Sequence, residues 1–300
     1  MALGGSQGIV TGGSGFVGRH VLALLPSDCT VVATYARDEG FPAWAAGLAA
    51  DVRPLRIDLR TERLASAVAG ADWLLHLAAP TPSAGGGDDL EQAIATTAVN
   101  ATADVAAKRV VHASSGSVYS GSAAPYGPGA PIAPVGAYGR GKARAEQAID
   151  EVAAGAVLHA RLFNPFGPGE RPTRLIAALV AAAAAGDVDV TLRVPPEHRS
   201  QPLAVATAAA ILAALVAAPA TGAIDVAGRE SLAAEALVRR IFAAVAPGVE
   251  PEVAFKPAGD GDWLRHVADP TAAEAAAGLA APDLDAALRA YAELLRAQRA

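Results

Sequence analysis

Thr11 to Gly18, TGGSGFVG, constrains this chain more than any other stretch. It follows the apolar pair Ile9-Val10, which reads as a first strand. It precedes Val17 to Leu25, whose apolar residues recur at helical spacing. The glycines are therefore expected on a strand-to-helix turn. Gly12 admits the tight turn, Gly15 lets a pyrophosphate approach the backbone, and Gly18 lets the helix pack against the strand. The helix N-terminus adds free N–H groups and the positive end of a dipole, both suited to phosphate. Glycines at this spacing also occur in ordinary loops. It is the position between a strand and a helix that points to a dinucleotide.

Beyond the turn, Cys29 to Tyr35 (CTVVATY) reads as a second strand and Val52 to Ile57 as a third. Ala71 to Ala79 is a continuous apolar run of the kind buried parallel strands show, and Arg109 to Ser115 is a fifth strand. Helices are expected from Leu90 to about Ala107 and from Tyr138 through Ile149, and Pro80 to Asp89 reads as a loop whose glycines suggest mobility. Alternating strands and helices imply right-handed βαβ units, a parallel sheet and the α/β class. After about Pro168 the pattern is mostly helical, with breaks at Pro195-Pro196 and Pro247 to Pro257 and a closing helix from Asp283 to Arg299.

Composition narrows the function. The 300 residues are 52% hydrophobic, enough for a large core, and the net charge of -6 without a basic cluster argues against nucleic acid. Cys29 is the only cysteine, which rules out an intrachain disulfide and a cysteine metal cluster and fits a reducing cytoplasm. The six histidines lack metal-ligand spacing, and no metal is expected. His76 and His112 lie in apparent strands and read as core residues, as Trp263 reads as packing. No signal peptide is visible, and the apolar run from Leu175 to Ala185 is too short to span a bilayer, so a cytoplasmic protein without a membrane partner is expected.

Two further features carry chemistry. The end of the second strand meets the adenosine ribose, where an acidic residue would hold the 2′-hydroxyl of NAD. Here Ala36-Arg37-Asp38 stand, and a guanidinium suits a 2′-phosphate. NADP(H) is favoured; with Asp38 adjacent, NAD(H) stays open, and Arg37 is then a solvated surface residue. Tyr138 and Lys142, four apart, share a helix face, and Ser115 ends a strand. A free phenol titrates near ~10, and a neighbouring ammonium would lower that value. Tyr138 could then exchange a proton with a carbonyl or alcohol oxygen that Ser115 also hydrogen-bonds.

In that order, glycine turn, strand-ending serine and Tyr/Lys pair, the chain resembles the extended short-chain dehydrogenases/reductases of the NAD(P)-dependent epimerase/dehydratase kind. The matching stretches are TGGSGFVG at 11–18, Asp58-Leu59, HLAA at 76–79, SSGSVYS at 114–120, YGRGK at 138–142 and RLFNPFGPG at 161–169. Weaker echoes are Asp225 to Gly228, Gly261-Asp262 and Asp269. The resemblance implies a Rossmann-type doubly wound parallel sheet over residues 1–167. It also implies a smaller, mostly helical substrate lobe over 168–300, with some segments returning to the first domain. A homodimer is a family expectation. The cofactor would meet Gly12, Ser14, Gly15, Phe16, Val17 and Gly18 at the pyrophosphate, Asp58 and Leu59 at the adenine, and Leu77, Ala78 and Ala79 beneath the riboses and phosphates. Tyr138 would be the proton donor or acceptor, Lys142 would bind the nicotinamide ribose, Ser115 would orient the substrate, and Phe163 would lie near the nicotinamide. Ser117, Asn164 and Arg199 would face substrate. Arg171, Arg174 and Arg193 are further candidates for a phosphorylated ligand, each otherwise a surface residue.

Departures from the family pattern matter. Sugar-nucleotide 4,6-dehydratases carry Asp-Glu where Gly116-Ser117 stand here, so the acid and base for dehydration are missing. Gly259-Asp260 replace an arginine often found before the late Gly-Asp pair, and the segment after Arg199 lacks the usual His and Asp. The leading expectation is an NADPH-dependent ketoreductase acting by hydride transfer on a keto group of a nucleotide-linked (deoxy)sugar or related natural-product intermediate, with Tyr138 as proton donor. An NAD-dependent nucleotide-sugar epimerase using the same Ser/Tyr/Lys triad is the alternative, and a non-catalytic dinucleotide sensor the third.

Overall fold

The computed structural model describes residues 3–81, 88–256, 261–279 and 283–297. The central sheet contains β1 (Gln7–Thr11), β2 (Thr30–Tyr35), β3 (Asp51–Arg56), β4 (Ala71–His76), β5 (Ala107–Ser115), β6 (Ala156–Leu162) and β7 (Gly222–Val226). All pairings are parallel, in the order β7-β6-β5-β4-β1-β2-β3. This is a Rossmann-type doubly wound sheet, and its order reverses between β4 and β1. The central strands are buried on both faces, which is why they read as apolar runs.

The longer helices are α1 (Phe16–Ala23), α2 (Asp88–Thr102), α3 (Ala137–Val152), α4 (Leu175–Ala185), α5 (Val205–Ala217), α6 (Ala234–Val245) and α7 (Leu284–Ala297). On one face of the sheet, α1 and α5 pack together, Leu22 and Leu212 sharing a core with Val31 and Leu158 of the sheet. On the other, α2 and α3 pack together, Ile94 and Ile149 sharing a core with Ile9 and Leu74 of the sheet. A separate core of Phe166, Leu237, Phe242, Leu288 and Tyr291 joins α4, α6 and α7 into the smaller lobe. Asp283 caps α7, its Oδ1 accepting from the Asp285 N–H at 2.9 Å. The chain beyond 168 serves both layers, because α5 and β7 return to the sheet.

Among the boundaries that differ from the sequence reading, three have a visible cause. β4 ends at His76, before the apolar run does, because the Leu77 and Ala78 N–H groups turn to Thr11 Oγ1 (3.2 and 3.3 Å). α2 stops at Thr102, since Asp104 adopts φ 62, which a right-handed helix cannot continue. β5 accordingly begins at Ala107, already paired with Ala71. The glycines of the 80–89 loop, together with Gly259, Asp260 and Arg299, lie outside the described residues.

Beneath the carboxyl ends of the strands lies a buried ionic cluster. Arg161 on β6 donates to both oxygens of Glu146 on α3 (2.9 and 2.7 Å), and Ser114 donates to the same carboxylate at 2.5 Å. Arg161 also donates to the Tyr119 hydroxyl, which donates to Asp225 on β7 at 3.2 Å. The cluster binds β5, β6, β7 and α3 into one base. Removing one partner of such a pair typically costs about 3–5 kcal/mol, because a charge is left buried.

Candidate active site

The glycine turn sits where the strand order reverses, the expected ligand crevice of an open α/β sheet. Gly12 has φ +70 and lies so close to Leu77-Ala78 that a Cβ would come within 2.8 Å of the Ala78 nitrogen. A Cβ on Gly18 would collide with the Gly12 carbonyl oxygen, so only glycine lets α1 start there. The Gly12 N–H donates to Thr34 Oγ1 at 3.0 Å, anchoring the turn to β2. At the start of α1, Gly15 provides no side-chain cap and no acidic residue occupies the first turn. The positive helix end is thus open to an anion, which fits a pyrophosphate.

The cleft has two halves. The first, about 730 Å³, is lined by Gly12, Ser14, Gly15, Arg37, Asp58, Leu59, Leu77, Ala78 and Ala79. The second, about 650 Å³, is lined by Phe16, Val17, Gly18, Ser115, Ser117, Tyr138, Lys142, Phe163 and Asn164, with Arg171, Arg174, His198, Asp262 and Leu264. Gly12, Gly15, Leu77, Ala79, Thr81 and Arg171 wall both halves, making them one continuous groove. Such a groove fits an extended dinucleotide running from the β2 and β3 ends to Tyr138. In the first half, Arg60 grips the Asp58 carboxylate (2.5–3.2 Å) and holds its titration down at about 2. Arg37 is exposed to the cavity, whereas Asp38 is turned away to Arg19 (2.5 Å) and the Gly40 N–H (3.2 Å).

In the second half, Ser115, Tyr138 and Lys142 converge. The Ser115 hydroxyl accepts from the Ser117 N–H at 3.2 Å, and it favours the Tyr138 phenolate. Lys142, 3% exposed, donates to the Ala113 carbonyl at 2.7 Å, and burial lowers its ammonium to about 8. Tyr138 corrects the sequence reading. Its phenol lies above its ordinary value, because burial, and then Asp262, disfavour the phenolate. The opposing influences are Arg174 and the Ser115 hydroxyl.

Phe163 is buried and stacks on Tyr119, and Gly116 lies flat against its ring. A Cβ at 116 would strike that ring, so an acidic side chain there would need Phe163 to move. Asn164, at φ 42, accepts from the Gln201 N–H through Oδ1 at 3.1 Å. Arg199 does not line the groove. The bridge it forms with Ala233 turns its guanidinium onto Ser231 Oγ and O, both at 2.9 Å. Arg193 also lies outside the lining. Sequence reasoning missed His198 and the contacts of Asp262; the Gly261-Asp262 pair was the one available signal.

Behind Lys142, Thr11, His76, His112 and His159 stand in register on β1, β4, β5 and β6. Thr11 Oγ1 lies 2.7 Å from His76 Nδ1, His112 Nδ1 lies 3.2 Å from His159 Nδ1, and His159 Nε2 lies 3.1 Å from Asp150. Burial, reinforced by the Lys142 charge, lowers His76 to about 3 and His112 far below its usual range. Both are neutral core residues. Among the described residues no group of three or more His, Cys, Asp or Glu side chains is placed to hold a metal ion, and no helix is long and apolar enough to cross a membrane.

The family model described as the NAD dependent epimerase/dehydratase family matches residues 9–224. No curated protein matches the sequence. Many solved structures share the fold. MoeE5 in complex with UDP-glucose and NAD is 24% identical, with 98% of this chain and 100% of that one covered and a TM-score of 0.80. UDP-N-acetylglucosamine 4-epimerase from Methanobrevibacter ruminantium is 19% identical, covering 98% and 99%, with a TM-score of 0.82. The NAD-dependent NDP-hexosamine 5,6-dehydratase TunA is 22% identical, covering 97% of each chain, with a TM-score of 0.78.

Proposed function

Because the chain belongs to the NAD-dependent epimerase/dehydratase family, and so to the NAD(P)-dependent enzymes of the extended short-chain dehydrogenase/reductase type, we propose that it is an epimerase of nucleotide-linked sugars using a bound NAD. The observation that carries this reading is the continuous groove in which Ser115, Tyr138 and Lys142 face Arg171 and Arg174. Two exposed guanidiniums beside a proton-transfer cluster suit a substrate that joins a reacting hydroxyl to a diphosphate. The similar folds that hold UDP-sugars and NAD support it.

Tyr138 would take the proton of a sugar hydroxyl and later return it, while Ser115 holds the same oxygen. With its phenol raised, Tyr138 starts protonated at neutral pH and needs nearby positive charge to act as a base. Arg174 supplies part of this. A bound nicotinamide supplies the hydride acceptor and, when oxidised, further positive charge. Lys142, with one N–H on Ala113, keeps others for the ribose. Gly116, pressed on Phe163, leaves no acid there for a dehydratase step.

One observation favours a second reading, an NADPH-dependent ketoreductase. Arg37 faces the adenosine half while Arg19 occupies Asp38, so a 2′-phosphate would meet a guanidinium and the 2′-hydroxyl of NAD would lack a ready carboxylate. The test is to denature purified protein, identify any released nucleotide, and titrate emptied protein with NADPH and NADH. Retained NAD with no net consumption during sugar turnover supports the epimerase. Empty protein that prefers NADPH and consumes it stoichiometrically overturns it in favour of the reductase. In that case Arg37→Ala should weaken NADPH far more than NADH.

A further inference from the structure

The helix that carries Tyr138 begins without a cap of its own. Gly136 stands at its N-cap position with no side chain to offer, and no acidic residue lies in its first turn. The missing group comes from the C-terminal lobe. The Asp262 carboxylate accepts from the Gly136 N–H at 2.7 Å, the Gly139 N–H at 2.9 Å and the Ser120 hydroxyl at 2.9 Å. Tyr138 lies between the two glycines, so these bonds bracket it. A Cβ would come within 2.7 Å of the Asp262 carboxylate at Gly136 and 2.6 Å at Gly139. The approach therefore depends on glycine at both positions.

The segment is fastened on its other side to the substrate half of the groove. The Leu264 N–H donates to His198 Nδ1 at 3.1 Å, and the Leu264 carbonyl accepts from the Arg199 N–H at 2.8 Å. The Arg265 N–H donates to the Tyr126 hydroxyl at 3.0 Å. Asp262 and Leu264 are thus held from both lobes at the groove wall. We propose that Asp262 is a positioning residue: it fixes the first turn of α3 from the opposite lobe and thereby sets the Tyr138 hydroxyl against Ser115. The inference rests on reading Tyr138 as the proton-transfer residue.

The geometry also has an electrical consequence. Besides burial, three groups act on the phenol: Arg174 at the start of α4, Ser115 at the end of β5, and Asp262 from the C-terminal lobe; Lys142 lies one turn along on the same helix. Asp262 is the negative one, and it opposes phenolate formation. Its removal should both free the helix start and ease ionisation of Tyr138.

The experiment uses full-length protein labelled with [13Cζ]-tyrosine, the Tyr138 resonance being assigned by its loss in Tyr138→Phe. The phenol is titrated from neutral to alkaline pH in wild type, Asp262→Asn and Asp262→Ala, with the melting temperature recorded for each. Asp262→Asn keeps the shape and one acceptor, so it serves if the alanine variant does not fold. The expected result is a Tyr138 midpoint lowered in both variants, with a changed Tyr138 resonance at neutral pH. Retained titration and resonance with only a lower melting temperature would make Asp262 a plain helix cap and overturn the proposal. Because no sugar substrate is used, this outcome is independent of the epimerase and reductase readings. Those fail separately, if Tyr138→Phe leaves turnover intact.

Discussion

Lys142 offers an energetic test that needs no substrate. Its ammonium is buried beside the imidazoles of His76 and His112 and titrates at about 8 in place of 10.5, through burial. Between those two pH values the unfolded chain keeps a proton that the native state has lost. Unfolding then takes up protons, so native stability rises with pH across this window. A shift of 10.5 − 8, about 2.5 units, corresponds to about 3 kcal/mol. Lys142→Met removes the titration and keeps most of the volume, at the cost of one charged hydrogen bond to Ala113, about 1.5–3 kcal/mol. At neutral pH the two effects nearly cancel, and the variant should be about as stable as wild type. At pH 10 wild type should have gained about 2–3 kcal/mol relative to the variant. Urea unfolding at several pH values, followed by tryptophan fluorescence, measures the difference. Parallel stability curves for the two proteins would refute the reasoning, since Lys142 would then titrate natively as it does unfolded.

Other outcomes follow from single contacts. Gly18→Ala should push α1 off the glycine turn, lowering stability by about 1–3 kcal/mol and weakening dinucleotide binding in a fluorescence titration; unchanged values in both would contradict the packing described. Tyr119→Phe should cost about 1–3 kcal/mol in denaturant unfolding while leaving dinucleotide affinity intact, because it keeps the ring against Phe163 and strips Asp225 of a hydrogen bond between two residues that do not line the groove. His76 and His112, whose native titrations are depressed, should stay neutral at pH 5 in 15N imidazole spectra. Below about 6.5 the unfolded histidines bind protons that the native ones refuse, so stability should fall as pH drops. A protonated His76 at pH 5 would count against the burial argument.

Much of the site was legible because it rests on local patterns. The glycine turn is encoded within eight residues, and Ser115, Tyr138 and Lys142 are placed by the end of one strand and the face of one helix. What escaped depends on which distant side chains meet. Nothing near Tyr138 in the chain announces Arg174 or Asp262, yet Arg174 favours and Asp262 opposes the phenolate that burial disfavours. Arg199 carried a plausible charge at a plausible place, but a short β bridge spends it on Ser231. The Arg161–Glu146 pair was invisible because each partner sits in an otherwise ordinary strand or helix. The early ends of β4 and α2 came from Thr11 Oγ1 and from the backbone of Asp104, neither of which periodicity reports.

The return of β7 to the edge of the sheet has a consequence for any attempt to exchange substrate preferences by grafting. A chain severed at 167 would leave β6 as an open edge along Leu158 to Leu162, with a row of unsatisfied N–H and C=O groups inviting another strand. It would also take Asp225 away from Tyr119 and Arg161. The lobe is therefore no detachable cassette. A workable graft needs three junctions, one before α4, one ahead of α5 and one after β7, so that α5 and β7 stay with their own sheet while the two lobe pieces are exchanged together.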